Sequence, residues 1–332
     1  MKETKPDADG AERPAAVAGT FYPADPARLS RMTATVLEGA ASAASDRASA
    51  APGSSATPGE TSAPRSSATH GASAMPGVAG APSSPLGILV PHAGLAYSGL
   101  VAAAAWRLIP DGATVVILGT NHTAAWLHGV GVWEAGSWQT PLGTVGVDAE
   151  LASEILALGL PFGPDRAAHL GEHSIEVQLP LLRAVAPAAR IVPLAVGAGT
   201  GDGAIAAGER LGSLLARRRA AGAAIVLAIS TDMAHYPPAD AAIGATLRLL
   251  PAIEGLLPEE LARVEAAIRG DDAGYGMVCG MCGIEPAVLG LAALRAMGAT
   301  SGVALASATS ADAGADPRRA VGYLSVVFGG RS

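Results

Sequence analysis

The sequence predicts an α/β fold, a single three-layer α/β/α domain with a mixed central sheet. From residue 86 onward, short β-rich runs, turns and helical stretches alternate several times. The β-rich runs are continuously apolar, as in LGILV (86–90) and TVVILG (114–119), which is typical of strands covered on both faces. The last two runs, 301–307 and 320–329, have no helical stretch between them. Since parallel neighbours need a long crossover, we expect this pair to make the sheet mixed.

The other elements follow the same alternation. A turn and then a helix are predicted within residues 17–40, where apolar residues recur at helical spacing. A second helix is predicted over residues 97–109, after the first strand. RIVPLAV (190–196) precedes a glycine-rich turn and an amphipathic helix, and AAIVLAIS (223–230) precedes another helix. Each of these helices can return the chain across a face of the sheet.

Two stretches lack the pattern of a packed core. Residues 1–12 are mainly polar and are expected to form a flexible tail. Residues 41–84 consist mostly of Ala, Ser, Pro, Gly and Thr, a composition that cannot bury enough apolar surface to offset its ordering entropy. We therefore predict a disordered low-complexity insertion there. Residues 13–40 and 85–332 are expected to form the one domain.

Composition narrows the classes of function. Half of the 332 residues are hydrophobic, so the chain can form a sizeable core. A net charge of −7 and an aromatic content of 4% argue against nucleic acid as a partner. Two cysteines cannot form a disulfide framework. The chain has no visible signal sequence and no apolar run long enough to cross a bilayer, so we expect a cytoplasmic protein without a membrane partner.

Side chains that can bind ligands follow three of the predicted strands. His92 comes two residues after LGILV, and His122 comes three residues after TVVILG. Asp232 comes two residues after AAIVLAIS, with His235 three residues further on. The chain has only seven histidines, so three of them in such turns favour a common site. In open α/β sheets, ligands bind beyond the carboxyl ends of the strands, and we predict a site at this edge.

Each of these residues also has an ordinary structural interpretation. His92 follows a proline and could cap the next helix, and His122 could be a solvated residue in an Asn-His-Thr turn. Asp232 could be a helix N-cap, and His235, before two prolines, could lie in a plain loop. The four residues together, at one edge of one sheet, favour a site.

The segment EHSIEVQLPLL (172–182) is a fifth candidate element. Its apolar residues suit an amphipathic helix, and Glu172 and Glu176 suit a helix N-terminus electrostatically. One interpretation makes His173, Glu176 and Gln178 capping and surface residues. The other interpretation, which we favour, places His173 in the cleft as an acid–base group or as support for a ligand.

The two cysteines form one CxxC motif, Cys279 and Cys282. A structural zinc site would need a second CxxC or a nearby histidine pair, and a redox motif normally follows a strand in a small domain. We instead place Cys282 before a helix that Pro286 helps to begin, where the helix dipole and free amides would lower the thiol pKa. Cys279 is expected to be structural, and His128 and His169 are expected to be loop or surface residues.

Taken together, these segments resemble the Memo family, known in bacteria as AmmeMemoRadiSam system protein B. Eight segments match in order, and they cover most of the chain apart from the tail and the insertion. The matching segments are VAGTFYP (17–23), GILVPHAGLAYSG (87–99), VVILGTNHT (115–123), WQTPLGTVGVD (138–148), EHSIEVQLPLL (172–182), IVPLAVG (191–197), STDMAHYPP (230–238) and MCGIEP (281–286).

The family is similar in fold to class III extradiol dioxygenases, which are non-heme iron enzymes. The resemblance implies a metal site formed by two histidines and a cysteine, namely His92, His122 and Cys282. It also implies that three further residues line the same cleft as catalytic groups, namely His173, Asp232 and His235. Extradiol enzymes use two histidines and a carboxylate on Fe(II). A thiolate in the third position is a softer donor, with which copper or zinc compete with iron.

Two functions are compatible with these residues. The first is a metal-dependent oxidoreductase that uses iron or copper on O₂ or a small oxidisable substrate, with His235, oriented by Asp232, moving protons. The second is a non-catalytic module that holds a peptide or phosphopeptide in the same cleft. The family's system name suggests a third role, as a partner of a radical SAM protein. The chain has no CxxxCxxC motif and so is not itself the radical enzyme.

Overall fold

The computed structural model describes most of the predicted domain. The predicted tail and insertion fall largely outside the described residues. The first helix continues to Ser49, past the predicted boundary at residue 40. Its last turns are rich in alanine, the strongest helix former, so the helix propagates beyond the part that packs on the domain. The described residues are 12–49, 85–198, 203–271 and 276–330.

The described residues form eleven strands and nine α-helices, with 3₁₀ turns at Glu176–Gln178 and Ser310–Ala313. The strands are β1 (Glu12–Arg13), β2 (Gly87–Val90), β3 (Thr114–Thr120), β4 (Val130–Val132), β5 (Ser137–Trp138), β6 (Val145–Gly146), β7 (Phe162–Pro164), β8 (Arg190–Val196), β9 (Ile225–Ser230), β10 (Ser301–Thr309) and β11 (Gly322–Gly329). The helices are α1 (Pro26–Ser49), α2 (Leu95–Trp106), α3 (Ala149–Leu156), α4 (Ala167–Leu170), α5 (Leu179–Val185), α6 (Gly203–Ala220), α7 (Ala239–Glu254), α8 (Pro258–Gly270) and α9 (Ile284–Ala296). Among these helices, none combines the length and the apolar character that crossing a membrane requires.

Eight strands form one mixed sheet in the order β10-β11-β2-β9-β3-β8-β4-β7. The central strands β2, β9, β3 and β8 run parallel to one another. β11 is antiparallel to both of its neighbours, β10 and β2, and β4 is antiparallel to β8. The prediction of a mixed sheet that ends in a directly connected strand pair is confirmed.

Side chains of the central strands alternate between two apolar layers. On β3, Val115 and Ile117 pack in one cluster with α1, α2 and α5. Val116 and Leu118 pack in the other cluster with α3, α6, α7, α8 and α9. All four side chains are fully buried. Helices thus cover both faces of the sheet, and the predicted three-layer α/β/α architecture is confirmed.

A small second sheet is not predicted by the sequence. It joins β1, β5 and β6, with Glu12–Arg13 parallel to Ser137–Trp138. Strands of two residues are too short to show an alternating pattern. This sheet places Glu12 and Arg13 beside Ser137 and Trp138, more than 100 residues later in the chain.

The segment 172–182 differs from the prediction in its first half. An amphipathic helix is expected throughout, whereas α5 begins only at Leu179. The carboxylate of Glu172 accepts hydrogen bonds from the amides of His173 (2.9 Å) and Ser174 (3.0 Å). These amides are therefore satisfied in a turn, without a helix. Glu176 and Gln178 are also buried, so their interpretation as surface residues is wrong.

Two glycines allow α6 to pack closely against α9. A Cβ atom at Gly208 would collide with the carbonyl oxygen of Leu289, and one at Gly212 would collide with that of Ala293. The glycines are four residues apart and so lie on one face of the helix. Because α9 begins two residues after Cys282, this packing also fixes the position of the cysteine loop.

We expect Gly212→Ala to destabilise the fold by about 1–3 kcal/mol, because the added methyl group must separate two packed backbones. Gly244 of α7 is the matched control, because its Cβ position has no atom within 4 Å. There the same replacement should stabilise the helix by about 0.5–1 kcal/mol through its greater helix propensity. Urea unfolding of both variants measures the difference, and changes of the same sign would contradict the explanation.

His169 is buried, and its prediction as a loop or surface residue is wrong. Its Nε2 lies 2.9 Å from the carbonyl oxygen of Gly131, to which it donates. Its ring packs edge-on against Trp133 and Trp138, with centroid distances of 6.0 and 5.6 Å. Burial lowers the pKa of His169 to about 4. The ring is therefore neutral in the folded protein at neutral pH.

This lowered pKa predicts a loss of stability in acid. Between pH 6.5 and pH 4 the unfolded chain binds a proton at His169 that the folded chain does not, so lowering the pH favours unfolding. Wild type should lose about 3 kcal/mol relative to His169→Gln between pH 7 and pH 4. Chemical unfolding of both metal-free proteins across this range tests the prediction. A constant difference in free energy would show that His169 titrates normally.

Candidate metal centre

Three adjacent parallel strands end at the candidate site. β2, β9 and β3 are neighbours in the sheet, and His92, Asp232 and His122 each lie two residues past the end of one of them. Two further residues reach the same edge from other parts of the chain. His173 lies in the turn before α5, and Cys282 lies just before α9. The edge predicted from the sequence is thus where these five side chains meet.

Three imidazoles converge at this edge. One ring nitrogen from each of His92, His122 and His173 lies within 4.8 Å of the other two. The ring centroids are 5.1 Å apart for His92 and His122 and 4.6 Å apart for His122 and His173. The Sγ of Cys282 lies 3.2 Å from Nε2 of His92. His173, predicted as a catalytic group, therefore lies beside the predicted metal ligands His92, His122 and Cys282, whose role as ligands stays a prediction.

The hydrogen bonds of Ser230 determine the tautomer of His92. The Ser230 hydroxyl donates to the carbonyl oxygen of Ser174 at 2.6 Å and accepts from Nε2 of Gln178 at 3.0 Å. Its single proton is therefore used, and it can only accept from Nδ1 of His92, 3.2 Å away. The Nε2 lone pair of His92 then faces the cluster. Burial lowers the pKa of His92 well below its usual value, which keeps the ring neutral.

The carboxylate of Glu172 orients the other two imidazoles. Its Oε1 lies 3.0 Å from Nδ1 of His122 and 3.2 Å from Nδ1 of His173. Its Oε2 accepts a hydrogen bond from the amide of His122 at 2.6 Å. An ionised carboxylate only accepts hydrogen bonds, so Nδ1 carries the proton in both rings. In the neutral form of each imidazole, Nε2 then keeps its lone pair.

Glu172 is ionised in spite of its burial. Burial by itself would raise the pKa of this carboxyl group, but the hydrogen bonds from His122 and His173 outweigh it and hold the pKa far below the usual range. A buried carboxylate without such donors would be costly, and here the donors come from the site itself. The charge of Glu172 and the orientation of the two histidines therefore depend on each other.

This arrangement fits a metal ion. Metal-binding histidines commonly donate one ring N–H to a carboxylate or another acceptor, which fixes the ring and leaves the other nitrogen for the metal. His92, His122 and His173 each have Nδ1 against such an acceptor, either Ser230 or Glu172. One ring nitrogen from each of the three lies within 4.8 Å of the other two, which is close enough to bind one ion. The donor set is of the kind that zinc, copper and iron prefer.

Asp232 holds the loop that carries His92. Its Oδ1 accepts hydrogen bonds from the amides of His92 (2.7 Å) and Ala93 (3.2 Å). Burial raises the pKa of Asp232 to about 6, although these two amides oppose the rise. The carboxylate thus fixes backbone at the end of β2 and does not act as a helix N-cap.

His235 is held less directly than predicted. Its Nε2 lies 3.8 Å from Oδ2 of Asp232, which is longer than a hydrogen bond. Among the described residues this buried nitrogen has no hydrogen-bond partner. Burial, with smaller contributions from His122 and His173, lowers the pKa of His235 to about 4. The ring is therefore a neutral group at the margin of the cluster.

Cys282 is a partly buried thiol, and the prediction of a lowered pKa is wrong. Burial raises its pKa well above the usual value, and the neighbouring carboxylate of Asp232 adds to the rise. Desolvation of a thiolate outweighs the favourable helix N-terminus. The Sγ accepts a hydrogen bond from the amide of Asp232 at 3.3 Å. Its S–H can donate to the Nε2 lone pair of His92, 3.2 Å away.

The glycine after Cys282 explains how the loop comes so close to the strand ends. A Cβ atom at Gly283 would lie 2.6 Å from the hydroxyl oxygens of Thr120 and Thr231. Cys279, three residues earlier, is partly buried like Cys282, and burial raises its pKa to about 11. The contacts with the histidine cluster are made by Cys282.

Several supporting residues were not identified as functional from the sequence. Glu172 and Ser230 contact the imidazoles, and Gln178 holds Ser230. The Phe21 ring packs at a tilt against His173 with a centroid distance of 4.5 Å. Ser230 ends a strand that the sequence predicts, and Glu172 directly precedes a candidate histidine. Their positions in the sequence therefore indicate that both residues can reach the site. Nothing in the local sequence around Phe21 or Gln178 indicates the contact that each makes across the fold.

The family model and the related sequences agree in family. The chain matches the family described as "Memo-like protein" over residues 71–327. A "MEMO1 family protein" from Methanopyrus kandleri is 33% identical over 324 residues, which covers 96% of this chain and 99% of the relative. One from Aquifex aeolicus is 37% identical over 246 residues, covering 74% of this chain and 86% of the relative. Among solved structures, an uncharacterised protein from Escherichia coli K12 gives a TM-score of 0.46 at 15% identity, over 73% of this chain and 99% of that one.

The contacts of Glu172 predict a large effect of Glu172→Gln on metal affinity. The amide has one acceptor oxygen in place of two and cannot accept from both imidazoles and the loop amides. We expect the affinity for Co(II), a spectroscopic substitute, to fall about 10–100-fold in a titration followed by absorption. The control is Glu209→Gln. Glu209 lies on α6 in an exposed ion pair with Arg295 of α9, and its replacement should leave the affinity unchanged. Equal affinities in both variants would contradict the role of Glu172.

Proposed function

This chain belongs to the Memo family, and we propose that it is a metal-binding protein whose cleft carries out redox or oxygen chemistry on a small substrate. The observation that carries the proposal is the histidine cluster, with three ring nitrogens within 4.8 Å of one another. Each Nδ1 is held against an acceptor by the protein. Such pre-orientation is what a metal site requires and what three unrelated core histidines would not need.

We propose His92, His122 and His173 as metal ligands, with Cys282 as the fourth. Support for the cysteine is the 3.2 Å contact between its Sγ and Nε2 of His92, the nitrogen assigned to the metal. Three imidazoles and one thiolate form a soft donor set that suits copper, iron or zinc. When bound, iron or copper would supply a one-electron redox centre, and zinc would supply a Lewis acid. Loss of the thiol proton would accompany binding, because the thiolate is the ligand.

The residues around the cluster have separate tasks in this proposal. Asp232 holds the loop of His92 through two backbone amides. His235 offers a neutral Nε2 beside the cluster, able to accept a proton from a substrate and to return it. Phe21, whose ring packs at a tilt against His173, places an apolar group beside the cleft.

The second candidate function is a non-catalytic module that binds a peptide or phosphopeptide in the same cleft. Tyr236 favours it: the side chain is 42% exposed and its ring centroid lies 5.5 Å from that of His235. The guanidinium of Arg319 lies 5.0 Å from the centroid of the Tyr236 ring. An exposed aromatic ring with an arginine on its face suits a peptide that carries an anionic group.

The wider setting is also a proposal. Composition supports a cytoplasmic protein, and the system name of the family suggests a radical SAM protein as partner. Capture of that protein by the metal-loaded chain, but not by the His122→Gln variant, is the expected result. Equal capture by both would separate the partner role from the metal centre.

Reconstitution with Fe(II) or Cu(I) under anaerobic conditions tests the proposed function. We expect wild type to bind one ion, and His122→Gln and His173→Gln each to lower the affinity at least about 10-fold. Cys282→Ser should weaken Cu(I) binding, because a hydroxyl is a poor ligand for a soft ion. Cys279→Ser is the matched control and should bind as wild type does.

Oxygen uptake then separates the two candidate functions. Uptake in the presence of small reductants that requires His92 and His122 would support the oxidoreductase. Tight metal binding without turnover, together with affinity for anionic peptides that Tyr236→Ala abolishes, would support the binding module. A purified protein that takes up no metal ion would overturn the proposal of a metal centre.

A further inference from the structure

The side chain of Arg13 is buried against the turn that carries Glu172. It is fully buried, and it donates from Nε to the carbonyl oxygen of His169 (2.8 Å) and from NH2 to that of Glu172 (2.7 Å). Its guanidinium carbon lies 4.1 Å from the centroid of the Trp138 ring. One side chain from β1 thus holds both ends of the turn 169–172 from a strand that is distant in sequence.

Glu176 fixes Arg13 from the other side. Its Oε2 lies 2.6 Å from NH1 of Arg13, and both side chains are fully buried. The same carboxylate accepts hydrogen bonds from the amides of Ala16 and Val17, each at 2.9 Å, and from the hydroxyl of Tyr22 at 2.6 Å. The segment 13–22 and the turn 169–176 are therefore held together by one connected set of buried polar contacts.

This network lies directly behind the metal centre. The carbonyl oxygen of Glu172 accepts from Arg13, while the carboxylate of the same residue orients His122 and His173. A buried carbonyl oxygen needs a donor. The carbonyl oxygen of His169 also accepts from the amide of Glu172 at 3.3 Å, whereas the donor to the carbonyl oxygen of Glu172 is Arg13. A buried ion pair adds little net stability to the fold. We therefore look to the geometry of the turn for the contribution of Arg13.

We propose that Arg13 is a positioning residue of the metal centre, acting through the main chain of Glu172 to set the directions of His122 and His173. The inference rests on the proposed metal-binding function. Only a guanidinium can carry out this task, because its planar donors reach two carbonyl oxygens and one carboxylate in fixed directions. A lysine ammonium can keep the ion pair with Glu176 but cannot span all three acceptors.

Arg13→Lys tests the proposal with Co(II) as the probe. We expect a lower melting temperature, because a buried acceptor loses its donor, together with a Co(II) affinity lowered about 10-fold and an altered visible absorption spectrum of bound Co(II). The spectrum reports ligand geometry and would not respond to a uniform loss of stability. Leu215→Ala, which removes a fully buried side chain of α6, is the control. It should lower the melting temperature while the affinity and spectrum of Co(II) stay as in wild type.

A second variant tests the proposal if Arg13→Lys does not fold. Arg13→Gln combined with Glu176→Gln replaces the ion pair by two neutral amides, and we expect the same loss of affinity and the same spectral change. Wild-type affinity and spectrum in whichever variant folds would overturn the positioning role. If wild type binds Co(II) in a manner that requires His122, the proposed function stands even where this inference fails. Absence of Co(II) binding by wild type would end both.

Discussion

The arrangement of the site depends on one buried carboxylate, that of Glu172. It is 1% exposed and would be costly there without donors. The donors are the amides of His122, His173 and Ser174 and the imidazole Nδ1 atoms of the same two histidines. Satisfying the charge thus folds the turn, joins it to the end of β3 and holds two imidazoles through their Nδ1 atoms. Folding and site geometry have the same cause here.

A second, neutral support acts on His92 from the other side. The indole of Trp106 donates to Oε1 of Gln178 at 2.8 Å, and Nε2 of Gln178 donates to Ser230, which faces Nδ1 of His92. This series of hydrogen bonds begins at Trp106 of α2 and ends at His92 of the histidine cluster. The charged carboxylate of Glu172 therefore orients His122 and His173, whereas neutral hydrogen-bonding groups orient His92. The supports of His92 are all buried, which favours binding by this ring without rearrangement.

The third structural contribution is the packing of helices behind the sheet. The close contact of α6 with α9 through Gly208 and Gly212 fixes the helix that follows Cys282. At the front, Gly283 allows the cysteine loop to approach the ends of β3 and β9. Cysteine, histidines and the polar network thus come from different layers of the domain. Their meeting requires the whole sheet order, since β2, β9 and β3 are neighbours only in space.

The sequence by itself determined the alternation of strands and helices, the closing strand pair and the strand-end positions of His92, His122 and Asp232, because these follow from local periodicity and from the geometry of parallel sheets. Only the tertiary structure decided the roles of Glu172, Arg13 and Gln178, whose partners lie far away along the chain. It also decided the protonation of buried groups: His169 and Cys282 have shifted pKa values because burial removes water, and burial is a property of the folded chain.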